Sequence, residues 1–227
     1  MFKTRAQIQE ALSRVGRRLA LADAGEHAIL ICGGSAMNLA GLSERATRDV
    51  DVLGLVSKSE KASVLANILP DEVSRAAQLV AMDLNLPDDW LNDSALAVQR
   101  LGLPHGILKR AHPLEFGPCL KVYVIGRKDQ VALKLYAALD RKKGQRHLRD
   151  LEAIDPTPAE MEFAVHWLLD RKTSSEFRNA IRKISEALGF QNLKAFIDLE
   201  SKPPTKTTKM RRPSAIRKKR GKGSHHL

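Results

Sequence analysis

An aliphatic run ending in two glycines and a serine, followed thirteen residues later by two aspartates one residue apart, constrains this 227-residue chain more than any other feature. His27-Ala28-Ile29-Leu30-Ile31-Cys32 reads as a strand buried on both faces, because it is nearly all aliphatic rather than alternating. Gly33-Gly34-Ser35 ends it. Ser35 is a candidate cap for a short helix over residues 36–40, which Gly41 closes. Asp49-Val50-Asp51-Val52-Leu53-Gly54-Leu55-Val56 reads as the second strand. Side chains alternate along a strand, so Asp49 and Asp51 point to the same face.

Two carboxylates held side by side repel unless a cation lies between them. Mg²⁺ suits that place: it is a hard ion that takes oxygen ligands, keeps waters and accepts substrate phosphates. Paired acids on a strand can build a two-metal site for in-line displacement at phosphorus. Gly33 and Gly34 allow a backbone to approach a phosphate closely, the following helix start offers N–H donors, and Ser35 adds a hydroxyl. Either half alone is common and unremarkable. A glycine turn is usually only a turn, and an Asp-x-Asp is often a solvated strand end. Their combination at this spacing is far more specific.

Elsewhere, Ile8, Leu12, Val15 and Leu19 fall on one face of a first helix, which outweighs a faint likeness to a mitochondrial leader. Residues 59–69 and 71–85 read as helical, and residues 87–89 as a turn. Residues 101–118 are punctuated by Gly and Pro and give no assignment. Residues 119–125 read as a strand with Leu120, Val122 and Val124 on one face. The rest reads as helix: 127–141, 146–154, 158–171, 174–188 and 192–200, with Gly189 a C-cap candidate. The expected fold is therefore α/β (α+β): a core with a small mixed sheet over residues 1–126, a helical part over 127–200, and a tail over 201–227.

That tail carries ten Lys and Arg and no acid, which is +10 of the net charge of +12. It has too little apolar surface to offset the entropy of ordering and is expected to be disordered. A cationic arm attracts polyanions such as RNA, through counterion release. Uninterrupted apolar runs do not exceed the five residues 28–32, which excludes a membrane-spanning helix. Two cysteines, Cys32 and Cys119, cannot make a disulfide framework and point to a reducing, cytoplasmic setting.

Gly33-Gly34-Ser35…Asp49-Val50-Asp51 resembles the signature of the polymerase-β-type nucleotidyltransferase superfamily. With Ala36-Met37 and Arg45-Ala46-Thr47-Arg48 included, it most resembles the minimal nucleotidyltransferases of the AbiEii/MenT toxin-like group. That resemblance spans residues 26 to 155. It implies a nucleoside triphosphate donor, Mg²⁺ held by Asp49 and Asp51, transfer of a nucleotidyl group to an acceptor such as a tRNA 3′ end, and an antitoxin protein as partner. It also implies a functional lysine on the helix after the last core strand and an aspartate on the next helix. Lys134 and Asp150 fit those positions.

Lys134 stands out independently, as the sole charge in Val131-Ala132-Leu133-Lys134-Leu135-Tyr136-Ala137-Ala138-Leu139. It lies at the edge of the face formed by Val131, Leu135 and Ala138, in one stripe with Arg127 and Arg141. It can bind phosphates, or snorkel along apolar surface. Asp150 can orient that lysine, act as a general base, or be a surface acid balanced by Arg146 or Arg149. Many superfamily members add a third acid from a later strand. Here residues 119–125 contain none, which leaves Glu115 as a candidate, or one metal with Lys134 supplying charge. His105 and His112 lack metal-ligand spacing. Cys32, Trp90 and Trp167 read as packing residues, and 4% aromatic content does not support a stacking platform for single strands.

Overall fold

The computed structural model describes residues 1–57, 63–65, 69–140, 142, 144–172, 174–194 and 197. The cationic tail, Arg141 and most of the expected helices over 59–69 and 192–200 lie outside the described residues. Within the first of those helices, Val64–Leu65 instead forms a short strand, β3 below.

Helix α1 (Arg5–Leu21) starts where Thr4 accepts a hydrogen bond from the Gln7 N–H. It buries Ile8, Leu12, Val15 and Leu19, the stripe expected from their spacing. Each such side chain contributes about 1.5–3 kcal/mol relative to exposure. Then follow β1 (His27–Cys32), α2 (Gly33–Leu39), β2 (Val50–Val56), β3 (Val64–Leu65), α3 (Asp71–Leu84), β4 (Leu91–Asn92) and α4 (Leu96–Gln99). The segment left unassigned from sequence forms α5 (Ile107–Arg110) and β5 (His112–Glu115). Next comes β6 (Leu120–Val124), then α6 (Arg127–Ala138), α7 (Gly144–Ile154), α8 (Pro158–Leu169) and α9 (Ser175–Ala187).

The sheet is mixed, in the order β3-β2-β1-β6-β5, with β4 also pairing to β2. β1 runs parallel to β6 and antiparallel to β2. Its aliphatic run is explained by burial on both faces. Ile29 and Ile31 pack with α1 and α3, while Leu30 and Cys32 join a second cluster with α6, α8 and α9. Leu120, Val122 and Val124 all enter the first cluster, as their alternation predicted. The ladder between β1 and β2 shifts at Leu30/Ile31: Leu30 pairs with Gly54 and Ile31 with Val52, so Leu53 is extra. This bulge resets the alternation of β2. Val50 and Val52 face α1 and α3, leaving Asp51 between them on the α6 side.

Gly16 lies within α1, where replacing glycine with alanine ordinarily stabilises by about 0.5–1 kcal/mol. Here a Cβ would overlap the Phe116 carbonyl oxygen, because helix and loop backbones touch at that point. Gly16→Ala is therefore expected to destabilise by about 1–3 kcal/mol, as overpacking does. Chemical denaturation checks it; a gain in stability would contradict the close approach.

Candidate active site

The site is assembled at the end of the sheet where β1 stops and β2 starts. Gly33 has φ +79°, a conformation that costs glycine little, and α2 begins there directly. Cys32 thus takes the capping position, with no side-chain hydrogen bond. This corrects the expectation for Ser35. It is the third residue of α2 and not its cap, fully buried, and its Oγ has no hydrogen-bond partner among the described residues.

Asp51 pairs in register with Cys32, which brings its carboxylate against Gly33. A Cβ on Gly33 would collide with the Asp51 Oδ2. One on Gly34 would come within 2.9 Å of the Thr47 Oγ1. The two glycines thus keep open a narrow space next to the acid strand. Gly33→Ala is expected to destabilise the folded protein by about 1–3 kcal/mol, since it both strains the backbone and displaces Asp51. Chemical denaturation checks it; unchanged stability would contradict the close approach of Asp51.

Asp49 is the residue before β2 rather than its first, and its charge reaches Asp51. The Asp51 carboxyl is held above its ordinary pKa, first by burial and then by Asp49. Lys134, Arg146 and a hydrogen bond donated by Ser94 Oγ, at 3.5 Å, pull it back down. The loop before these acids is firmly anchored. Asn38 Nδ2 donates to the carbonyls of Gly34 (3.1 Å) and Arg45 (2.9 Å). Thr47 bridges to Phe2 through both backbone groups, and its hydroxyl donates to the Asp49 carbonyl at 3.3 Å. The Val50 N–H donates to the carbonyl of Trp90, whose ring packs edge-on to Phe2 at 5.6 Å.

Lys134 is 6% exposed and donates to Asp150 Oδ2 at 2.6 Å. Asp150 is 2% exposed, and its other oxygen pairs with Arg45 Nη2 at 2.7 Å. Asp150 is thus a buried clasp joining α7, α6 and the loop before the acids, not a surface acid balanced by Arg146 or Arg149. Of the expected basic stripe with Lys134, Arg127 pairs with Glu160 at 2.9 Å and with the Asp155 carbonyl at 2.8 Å, and Arg141 lies outside the described residues. His147 lies 4.0 Å from Asp150, and burial and Lys134 depress its pKa, so it is neutral near pH 7. Cys32 is a buried thiol whose pKa burial, and then Asp51, push upward, consistent with packing rather than nucleophilic attack.

Glu115 does not supply a third acid. It is exposed, pairs with Lys121 at 2.7 Å, and its register places it at the far end of β6 from Val124 and Gly33. Among the described residues, no group of three or more His, Cys, Asp or Glu is placed to hold a metal ion. A two-carboxylate site suits Mg²⁺, which commonly takes one or two protein carboxylates and completes its shell with water and phosphate oxygens. The orphaned Ser35 hydroxyl and the cradle kept open by the two glycines fit a phosphate beside such an ion.

Sequence reasoning gave no role to Ser94, Asn38 or His147, offered Arg146 only as a balance for Asp150, and noted Arg45 only as part of the motif. Arg45 stood inside the motif, but nothing local signals that it reaches a helix a hundred residues on. Gln130, one turn before Lys134, is also buried with both amide atoms lacking a partner among the described residues.

A mixed sheet with a glycine turn against an acid-bearing strand, clasped by a buried lysine–aspartate pair, is an arrangement suited to phosphate-ester chemistry. Residues 9–155 match the family described as nucleotidyltransferase of unknown function (DUF6036), and the chain belongs to that family. No curated protein and no solved structure matches it. Among the described residues, no helix is long and apolar enough to cross a membrane.

Proposed function

We propose that this protein is an Mg²⁺-dependent enzyme that transfers a nucleotidyl group from a nucleoside triphosphate to an acceptor hydroxyl. The observation that carries the reading is the convergence on Asp51: its carboxylate lies against Gly33 and feels both Asp49 and Lys134. In this reading Asp49 and Asp51 hold the metal. When bound, Mg²⁺ supplies charge neutralisation at the phosphate oxygens. Gly33, Gly34 and the Ser35 hydroxyl receive the phosphates, and Lys134, with Arg45 and Arg146 nearby, offsets their remaining charge. The acceptor oxygen attacks the α-phosphorus and pyrophosphate leaves.

Asp150 acts as a positioning residue. Both its oxygens are ion-paired, so it is a poor general base, and its task is to hold Lys134. The acceptor is RNA, with a tRNA 3′ end the favoured substrate, drawn in part by the tail that carries +10. The likeness to the AbiEii/MenT toxin-like group supports a toxin with an antitoxin protein partner.

Incubation with labelled nucleoside triphosphates, Mg²⁺ and total tRNA tests this. Label should enter RNA, and the Asp49→Ala/Asp51→Ala variant should transfer none. Absence of transfer by the native protein, or undiminished transfer by the variant, defeats the reading. Label found instead on a protein or small molecule would move the acceptor out of the RNA class. A second reading, a non-catalytic RNA-binding protein on the same fold, is favoured by the exposed, distant position of Glu115, which leaves no third acid from β5. It requires salt-sensitive RNA binding that survives loss of both aspartates but not of residues 202–227.

A further inference from the structure

We propose that the apolar cavity beside the Lys134–Asp150 pair is the subsite for the base of the bound nucleoside triphosphate; this rests on the nucleotidyltransferase reading. The cavity is about 370 Å³, within the usual range of about 300–1,000 Å³ for small-molecule sites. Its walls include Val98 of α4, Tyr136 and Ala137 of α6, His147 of α7 and Phe177 of α9.

Two of those walls are shared with the candidate active site. Tyr136 and Ala137 follow Lys134 on the same helix, and His147 lies 4.0 Å from Asp150. The α4 wall is fixed to the acid strand as well. Gln99 Nε2 donates to the Leu53 carbonyl at 2.5 Å, and Ser94, just ahead of α4, reaches Asp51. The cavity therefore adjoins the cationic side of the site, where the phosphates of a donor would be held.

Its chemistry suits a base. Tyr136 and Phe177 offer aromatic surface, and stacking on such rings binds bases whatever their sequence. His147, Asp140 and Lys172 supply the cavity's polar edge, with the Lys172 ammonium 5.2 Å from the Phe177 ring centre. The His147 Nδ1 is closed off on the Asp150 side, 4.0 Å from that carboxylate, while the side chain as a whole stays 25% exposed. Polar groups on the wall of a largely apolar slot can read one base against another.

The test is binding without RNA present, so that an acceptor base cannot be the occupant. The full chain is titrated in Mg²⁺ with each of four nucleoside triphosphates and with inorganic tripolyphosphate. Trp167, edge-on to Tyr136 at 6.3 Å, provides a fluorescence signal. Ala137→Leu, which fills the cavity, should weaken nucleoside triphosphate binding at least about tenfold. It should leave tripolyphosphate within about twofold. His147→Phe keeps the bulk but loses the nitrogens, and should flatten the ranking among the four bases; it decides the matter if Ala137→Leu fails to fold. Unchanged nucleotide affinity and ranking in a folded variant overturn the subsite alone. So does a native protein that binds tripolyphosphate as tightly as any nucleotide. Binding of neither ligand by the native protein overturns both the subsite and the enzymatic reading.

Discussion

Asp51→Asn should abolish nucleotidyl transfer, by at least about 10³-fold, while raising the melting temperature of the metal-free protein. Asparagine keeps the shape and one acceptor oxygen but cannot hold a divalent ion with comparable strength. The stability gain follows from the carboxyl's surroundings. Burial and Asp49 hold its pKa above the ordinary 3.8. The folded state then binds a proton more tightly than the unfolded chain, so ionised Asp51 opposes folding. As pH rises from about 3.8 through the raised folded value, native stability falls, and the loss persists at neutral pH. Asparagine never ionises, so its advantage should be present at pH 7 and vanish near pH 4. Mg²⁺ with nucleoside triphosphate should raise the melting point of the native protein and not that of the variant. Calorimetry across pH, together with the transfer assay, checks both halves. Native-level transfer by Asp51→Asn would exclude the carboxylate from the chemistry.

The second large effect is expected at Asp150, and it is structural first. Asp150→Ala strands the Lys134 ammonium, 6% exposed, without its hydrogen-bonded ion-pair partner. Breaking a buried pair in this way costs about 3–5 kcal/mol. In a chain of this size that corresponds to a melting temperature lower by about 10 °C. Lys134→Met should cost less, because Asp150 keeps Arg45, which is 43% exposed and can share its charge with water. The double variant Lys134→Met/Asp150→Leu should recover most of the stability, since no unpaired charge stays buried. It should recover no activity. Thermal melts of the two single variants and the double variant form the cycle. A negligible effect of Asp150→Ala on melting would contradict the clasp.

The parts legible in the sequence were those with a local signature. Ile8, Leu12, Val15 and Leu19 carry the period of a helix face, and all four are buried. The aliphatic stretch 27–32 and the alternation of Leu120, Val122 and Val124 gave two central strands. Gly33, Gly34 and the two aspartates could be picked out because both halves of the motif lie within one strand–helix–strand unit. What stayed hidden depended on distant partners. β5 is a four-residue edge strand containing Pro113, with no apolar run to mark it. Ser35 looked like a cap, because the positive φ of Gly33, which starts the helix two residues earlier, leaves no trace in the letters. Arg45 and Asp150 stand too far apart in the chain for spacing to connect them, although their 2.7 Å contact fixes the lysine.

The parallel pairing of β1 with β6, from His27↔Leu120 to Ile31↔Val124, also governs the order in which this protein becomes competent. A helix such as α1 forms from neighbours in sequence, but this ladder must close a loop of some ninety residues. Lys134 and Asp150 come later still. During synthesis, the glycine turn and the acid strand leave the ribosome well before Lys134 and its partner Asp150. A nascent chain therefore cannot bring these groups together until residues through Asp150 have been made.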